Sequence, residues 1–385
     1  MTPHVDLLPA GDRAFALLAA SLRARTDSVS AAHLASEVQR PHDWDRILRL
    51  AHRHGLAPLL HSVCHRVCPD DLPPAVTSEL RQHAGRNGAL SALRWGTLLQ
   101  VLARLQNDGI QAIAYKGPAA ALTLYGHISL RQCSDLDIMV RPSDVWRAAT
   151  ALERDGYVPD VRVPEPARAS FLRDEYVLMF RRDDGRTLLE LHWGVAVRAF
   201  GTPLDETSLW ARVRRCSFQG VAVLVPSPED QLVLTCIHAS RHGWDKLEAV
   251  AGVDALARRP DVDWTYAWTL AGRMRARRML TCGLQLAGGV LATPVTVDGL
   301  PARRGTLDAI VGTMTADAAP SPGWRRLLLQ LRLKDTNGAR LLQCARHVVT
   351  PRGEDRAEGP LPHALSFAYP LVRAARLVRK YGFTK

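Results

Sequence analysis

Two carboxylates alternate on a short apolar segment, Ser134-Asp135-Leu136-Asp137-Ile138-Met139-Val140, which follows a lysine-glycine pair, Lys116-Gly117. In an extended strand side chains alternate, so Asp135 and Asp137 share one face and Leu136 takes the other. Two like charges held side by side repel, and a divalent cation between them relieves the repulsion. Gly117-Pro118 predicts a turn that opens a helix, and the free N–H groups at a helix N-terminus can hold a phosphate. Metal and phosphate together point to nucleotide chemistry.

A pair of carboxylates rarely completes a two-metal phosphoryl-transfer site. The candidate third is Glu190 in Leu188-Leu189-Glu190-Leu191-His192-Trp193, where Leu189 and Leu191 face one way and Glu190 and His192 the other. Glu190 lies beside Asp135 and Asp137 if their strands are neighbours. On this reading Asp135, Asp137 and Glu190 are both the catalytic and the metal-holding residues, with Mg²⁺ or Mn²⁺ as cofactor. Lys116, Gly117, Arg131 and Ser134 are the nucleotide-binding candidates, the first and third as fixed positive charge. Each has an ordinary alternative: a solvated edge strand for the aspartates, a hairpin's polar face for Glu190, a salt bridge from Arg131 to Asp135. His192, His242 and Lys246 are supporting candidates. His238 and His242 stand one helical turn apart and suit polar packing as well as a cleft.

The elements that must position these residues read as an α+β chain. Residues 1–107 are helical, with Gly55 and Pro58 separating two helices and a long helix running from about Ala75 to Asn107. Residues 108–226 form the core, a small mixed sheet. Its strands are Ile110–Tyr115, Asp135–Val140, a hairpin of Glu175–Arg181 and Thr187–Trp193 about Asp183-Asp184-Gly185, and Val221–Val225. Residues 227–385 return to helix: Pro228–His242, Leu247–Arg258, Trp264–Met279, Leu280–Leu291 and Trp324–His347, then a polar loop Pro351–Pro362 and a basic helical tail.

A glycine before a helix, then Asp-x-Asp, then an acid on a later strand resembles the DNA polymerase β-like nucleotidyltransferase superfamily. The closer resemblance is to a bacterial family usually called uncharacterised nucleotidyltransferases. It is carried by Tyr115-Lys116-Gly117, Tyr125, Arg131, Asp135 to Val140, and Glu190 to Trp193. Asp43-Trp44 and Ala51 to Leu60 look like the family's N-terminal helices. His238, His242-Gly243-Trp244, Leu247, Asp254 and Asp263-Trp264 look like its C-terminal ones. The resemblance implies a polymerase β-like core flanked by helical regions. It also implies transfer of a nucleoside monophosphate from an NTP, ATP among them, to a hydroxyl or phosphate of a peptide, protein or small molecule, in settings such as natural-product or polysaccharide tailoring. Two departures stand out: Pro118 replaces the superfamily's serine or glycine at the phosphate turn, and Ser134 replaces the family's usual glycine.

The bulk numbers are ordinary for a soluble globular protein. In 385 residues, 47% are hydrophobic and 23% charged, which leaves room for two or three domains. A net charge of +12 suits a phosphate-bearing partner without naming one. No helix-turn-helix or zinc-finger pattern points to nucleic acid. Seven scattered cysteines are no disulfide framework, and His61, Cys64, His65 and Cys68 fall at helical spacing without a second ligand cluster. The start shows no signal pattern, and the uncharged stretch Met279–Val297 reads as a buried helix and its exit, so a cytoplasmic protein is expected. Two other classes stay open: an Asp-x-Asp glycosyltransferase using a nucleotide sugar, and a non-catalytic nucleotide binder.

Overall fold

The computed structural model describes residues 6–182, 187–295, 301–316 and 323–350, with a few further positions between 368 and 376. The chain begins with α1 (Arg13–Arg23), α2 (Ser28–Val38), α3 (Trp44–Arg53), α4 (Ala57–Val67) and the long α5 (Pro74–Asn107). Asp12, Asp27 and Asp43 each accept a backbone N–H at the starts of the first three, satisfying donors that the helix leaves orphaned. Prolines open α4 and α5, where a missing N–H costs nothing.

The middle of the chain runs β1 (Ile113–Ala114), α6 (Gly117–Tyr125), β2 (Leu136–Met139), α7 (Val145–Arg154), β3 (Tyr157–Pro159), α8 (Arg168–Asp174), β4 (Val177–Arg182), β5 (Leu188–His192), α9 (Glu206–Ala211), β6 (Arg214–Phe218) and β7 (Val221–Val225). One five-stranded sheet has the order β1-β2-β5-β4-β3. Its β2–β5 pair is parallel and the other pairs are antiparallel, so the sheet is mixed. The expected hairpin is present as β4–β5, although its turn at Asp183-Asp184-Gly185 lies outside the described residues. Val221–Val225 does not join this sheet. It pairs with β6 in a separate two-stranded ribbon. The arginines and serine of β6, Arg214-Arg215-Cys216-Ser217-Phe218, mask its strand character in the sequence. The first expected strand is also shorter, since only Ile113 and Ala114 pair with β2.

Helices then return: α10 (Pro228–His242), α11 (Leu247–Ala257), α12 (Trp264–Arg273), α13 (Arg277–Leu291), α14 (Arg304–Thr315), α15 (Gly323–Arg332) and α16 (Asn337–Val349). The single helix expected over 324–347 is two, because Thr336 caps a fresh start at α16. The break between α12 and α13 falls at Arg275, whose φ is +56°, not at Met279. The loop 351–362 and the terminal residues 377–385 lie outside the described residues.

The buried side chains fall into two clusters. Leu136, Ile138, Leu189, Leu191 and Phe180 form one with Trp95, Leu98, Val101 and Leu105 of α5 and with α7. The helices before and after the sheet share the other, which runs from Phe15 and Leu18 through Leu234 and Ile237 to Leu284 and Met314. Strand alternation therefore sends the leucines of β2 and β5 towards α5 and leaves Asp137, Glu190 and His192 on the opposite face. Across the C-terminal helices, Gly283 admits a close crossing of α13 and α10. A Cβ there would meet Cys236 Sγ at 2.6 Å and the Trp244 ring at 2.8 Å.

His54 joins the two ends of the chain. It is fully buried, takes the Leu247 N–H on Nδ1 at 3.1 Å and sits 3.0 Å from the Met314 carbonyl through Nε2. Because Leu247 donates to Nδ1, Nε2 carries the proton and donates to Met314. A second proton has no place. Burial first, then the nearby Arg53 and Lys246, push its pKa down to about 4, against the Met314 bond. The unfolded chain, with an ordinary histidine near pH 6.5, takes up that proton first, so stability falls as pH drops from about 6.5 towards about 4. The loss approaches about 3 kcal/mol across that window. Denaturant unfolding of His54→Gln should show a shallower dependence there than the wild type, His238 and His242 keeping part of the slope. An identical pH profile in the variant would contradict this account.

Candidate active site

The site is built by the register of two neighbouring strands. In the parallel β2–β5 pair Asp137 lies opposite Glu190, and Met139 opposite His192. Asp137 and His192 are buried, while Glu190 is half-buried. His192 Nε2 hydrogen-bonds Asp137 Oδ1 at 3.0 Å, and Glu190 Oε2 lies 3.1 Å from the same nitrogen. Among the described residues, Asp137, Glu190 and His192 form the group whose metal-ligating atoms lie within 4.8 Å of one another. Two carboxylate oxygens on paired strands fit a hard divalent cation, and His192 Nε2 adds a nitrogen ligand only in the tautomer that leaves it without a proton.

Lys116 closes the site from the β1–α6 turn, with Nζ 3.2 Å from Asp137 Oδ1. Burial would raise the Asp137 pKa, but Lys116 and the His192 hydrogen bond outweigh it and hold the carboxyl well below its usual range. Lys116 responds in kind: burial disfavours its charge, and Asp137 more than restores it. Asp135 stands apart from the tight group because it precedes the first paired residue of β2. Desolvation and then the charges of Asp137 and Glu190 raise its pKa. That residual repulsion is what a bound cation would relieve.

Gly117 is required where it stands. Its φ is +61°, and a Cβ would lie 3.3 Å from the Asp135 carbonyl oxygen, so the turn packs directly against the aspartate segment. It opens the nine-residue α6, whose first N–H groups have no intrahelical partners. Pro118 supplies no N–H of its own. Ser134 is exposed just before Asp135.

Arg131 is not paired with Asp135. Its Nε donates to Glu248 on α11 at 2.5 Å, and although burial opposes its charge, Glu248 raises its pKa. The helix α10 brings a further polar face, on which Arg241 is the permanent charge. His238 is half-buried, and desolvation followed by Lys116, His242, Arg241 and Arg131 lowers its pKa far below the ordinary value. Its Nδ1 has no hydrogen-bond partner among the described residues. Arg241 donates to the Val195 carbonyl at 2.9 Å and to the Tyr176 hydroxyl at 2.5 Å, tying α10 to the end of β5. Tyr176 and Tyr115 in turn flank the His192 ring. Lys246 is exposed at the start of α11, and its charge acts on His54.

Arg241, Tyr176 and Glu248 had no motif to mark them. Only the spacing of His238 and His242, one helical turn apart, hinted that α10 approaches the site. Elsewhere, His61 and His65 stack with ring centroids 5.9 Å apart, while Cys64 and Cys68 are buried. Trp244 is core, with Nε1 donating to Ser240.

The family described as uncharacterised nucleotidyltransferase matches residues 40–292, from just before α3 to the end of α13. No curated protein and no solved structure matches the chain. The matched span is well over half of the sequence and holds the paired strands, the Lys-Gly turn and the polar face of α10. On that match the chain belongs to the uncharacterised nucleotidyltransferase family, and nucleotidyl transfer is its chemistry.

Proposed function

We propose that the protein binds an NTP together with Mg²⁺ or Mn²⁺ at Asp135, Asp137 and Glu190. It transfers the nucleoside monophosphate to a hydroxyl or phosphate of a peptide, protein or small-molecule acceptor. The observation that carries this reading is the direct opposition of Asp137 and Glu190 on parallel strands, beside a glycine turn that opens a helix. The cation supplies charge neutralisation on the triphosphate and lowers the pKa of an acceptor hydroxyl. The chain's own groups do the rest. Asp137 and Glu190 are fixed by strand pairing, and Asp137 also by its hydrogen bond to His192, so little reorganisation is needed when the substrate arrives. Lys116 neutralises Asp137 in the free protein, and its ammonium is placed to pair with an incoming phosphate. The free N–H groups of Gly117 and Ala119 face the same purpose.

Arg131 keeps N–H groups beyond the one committed to Glu248, and Ser134 is exposed to a ligand. Arg241 adds positive charge on this side, and His238 and His242, whose pKa values burial and the neighbouring cations push down, add neutral polar rings. In the transfer, the acceptor oxygen attacks the α-phosphorus and a new P–O bond forms. The bond from that phosphorus to the pyrophosphate oxygen breaks, the acceptor proton is released, and pyrophosphate leaves with the electron pair. No covalent enzyme intermediate is required. A glycosyltransferase needs neither Glu190 opposite the aspartates nor the helix-opening turn. A cytoplasmic setting suits the reading, since NTP donors and free thiols such as Cys236 and Cys282 belong to a reducing compartment.

Asp137→Asn and Glu190→Gln should each lower pyrophosphate release from the NTP by at least ~100-fold while circular dichroism reports an intact fold. Turnover near the wild-type rate in either would move the metal assignment elsewhere. Gly117→Ala forces an ordinary residue into the left-handed region at a cost of about 1 kcal/mol, with a Cβ against the Asp135 carbonyl. A lower Tm and a loss of transfer are expected together. An unchanged Tm with full activity would show that the turn does not position Asp135.

A further inference from the structure

A cavity opens between the C-terminal end of α10 and the helices α14 and α15. Its volume is about 280 Å³, enough for a small organic molecule and too little for a folded partner or a helix. Its walls combine two chemistries. Ile310, Trp324 and Leu328 supply apolar surface, and Trp324 and Leu328 keep 55% and 47% of their surface exposed although both are large. Arg325, Arg326 and Arg332 supply charge, and none of the three forms a salt bridge among the described residues. Asp245 is the single carboxylate in the lining, so the cavity is positive.

Its position relative to the carboxylates is set by α10. His242 lines the cavity, and its ring lies 4.5 Å from that of His238 on the same helix. Local desolvation and then Arg241, Lys116 and Arg326 lower its pKa, while Glu190 opposes them, so the imidazole lies between groups of the cavity and groups of the site. Gln330 of α15 donates to the Arg241 carbonyl at 2.8 Å, fixing the cavity wall to the helix that borders the carboxylates. An occupant would present one end to His242 and the cleft beyond it.

We infer that this cavity is the acceptor pocket, and that the acceptor is a small anionic molecule with an aromatic or apolar body. Its carboxylate or phosphate meets Arg326 and Arg332, its body lies against Trp324 and Leu328, and its hydroxyl points past His242. Planar guanidinium groups recognise such anions with paired N–H donors. The assignment rests on the nucleotidyl-transfer reading of the neighbouring site. It adds to that reading the chemical class of the acceptor and the surface that selects it.

The test uses two acid–amide pairs of one shape and different charge: 4-hydroxybenzoate with 4-hydroxybenzamide, and 4-hydroxyphenylacetate with its amide. Isothermal titration calorimetry on the full chain should show at least one acid binding ~10-fold or more tighter than its amide, as one charge-assisted hydrogen bond predicts. The double variant Arg326→Ala/Arg332→Ala should abolish that difference, and Trp324→Ala should weaken acid and amide alike. The acid should also bind together with an NTP and Mg²⁺, and should still bind Asp137→Asn, in which metal-dependent NTP binding is lost. Equal binding of acid and amide, no binding of either acid at millimolar concentration, or indifference to the arginine variant overturns the inference. Displacement of the acid by NTP would make the cavity part of the nucleotide's own site and overturn the acceptor role. If the acid binds normally while the wild type shows no metal-dependent NTP binding, the nucleotide reading fails separately from the anion pocket.

Discussion

Everything at the centre of this protein depends on the parallel pairing that sets Asp137 opposite Glu190. Two carboxylates on adjoining strands, one of them buried, are unstable as neighbours unless positive charge is supplied. Lys116 supplies it from the β1–α6 turn, and His192 hydrogen-bonds Asp137 with Glu190 close to the same nitrogen. The alternation of each strand fixes the rest. A slip of one residue would drive Asp137 into the leucine cluster under α5 and bring Ile138 to the cleft. The fold therefore holds its charge pair by the same pairing that builds its core.

The helical flanks act on this pair from outside the sheet. Helices from both ends of the chain share one buried cluster, and His54 fastens α3 to α11 and the end of α14 by two hydrogen bonds. That shared packing fixes α10, whose Arg241 binds back to the end of β5. The site is thus acidic on its sheet side, with Lys116 and Arg241 as its nearby positive charges and the α10 histidines as neutral polar groups. Such polarity suits a substrate that carries both a cation and phosphates. The cavity bordered by α15 adds positive charge away from the nucleotide region.

Much of this was legible in the sequence. Asp135-Leu136-Asp137 and Glu190-Leu191-His192 each announce a strand with a polar and an apolar face, and Lys116-Gly117 announces a turn into a helix. What alternation cannot reveal is which strand lies beside which. The parallel β2–β5 contact joins segments separated by two strands and two helices. The fate of Arg131 was hidden for a similar reason: Glu248, which captures it, is remote in the chain. His192 was readable as a companion of Glu190, but its place between two carboxylates follows from the register alone. The strand β6 escaped because it opens on two exposed arginines, Arg214 and Arg215, one on each face, and a two-stranded ribbon buries too little to show a clear apolar pattern.

The most direct test of the central claim is a crystal structure of the wild type with Mn²⁺ and a non-hydrolysable NTP analogue, with the metal located by its anomalous scattering. The account predicts a manganese peak between the carboxylates of Asp137 and Glu190, with the analogue's phosphates beside Lys116 and the N-terminus of α6. A bound analogue with manganese elsewhere, or no metal near these two carboxylates, would contradict it.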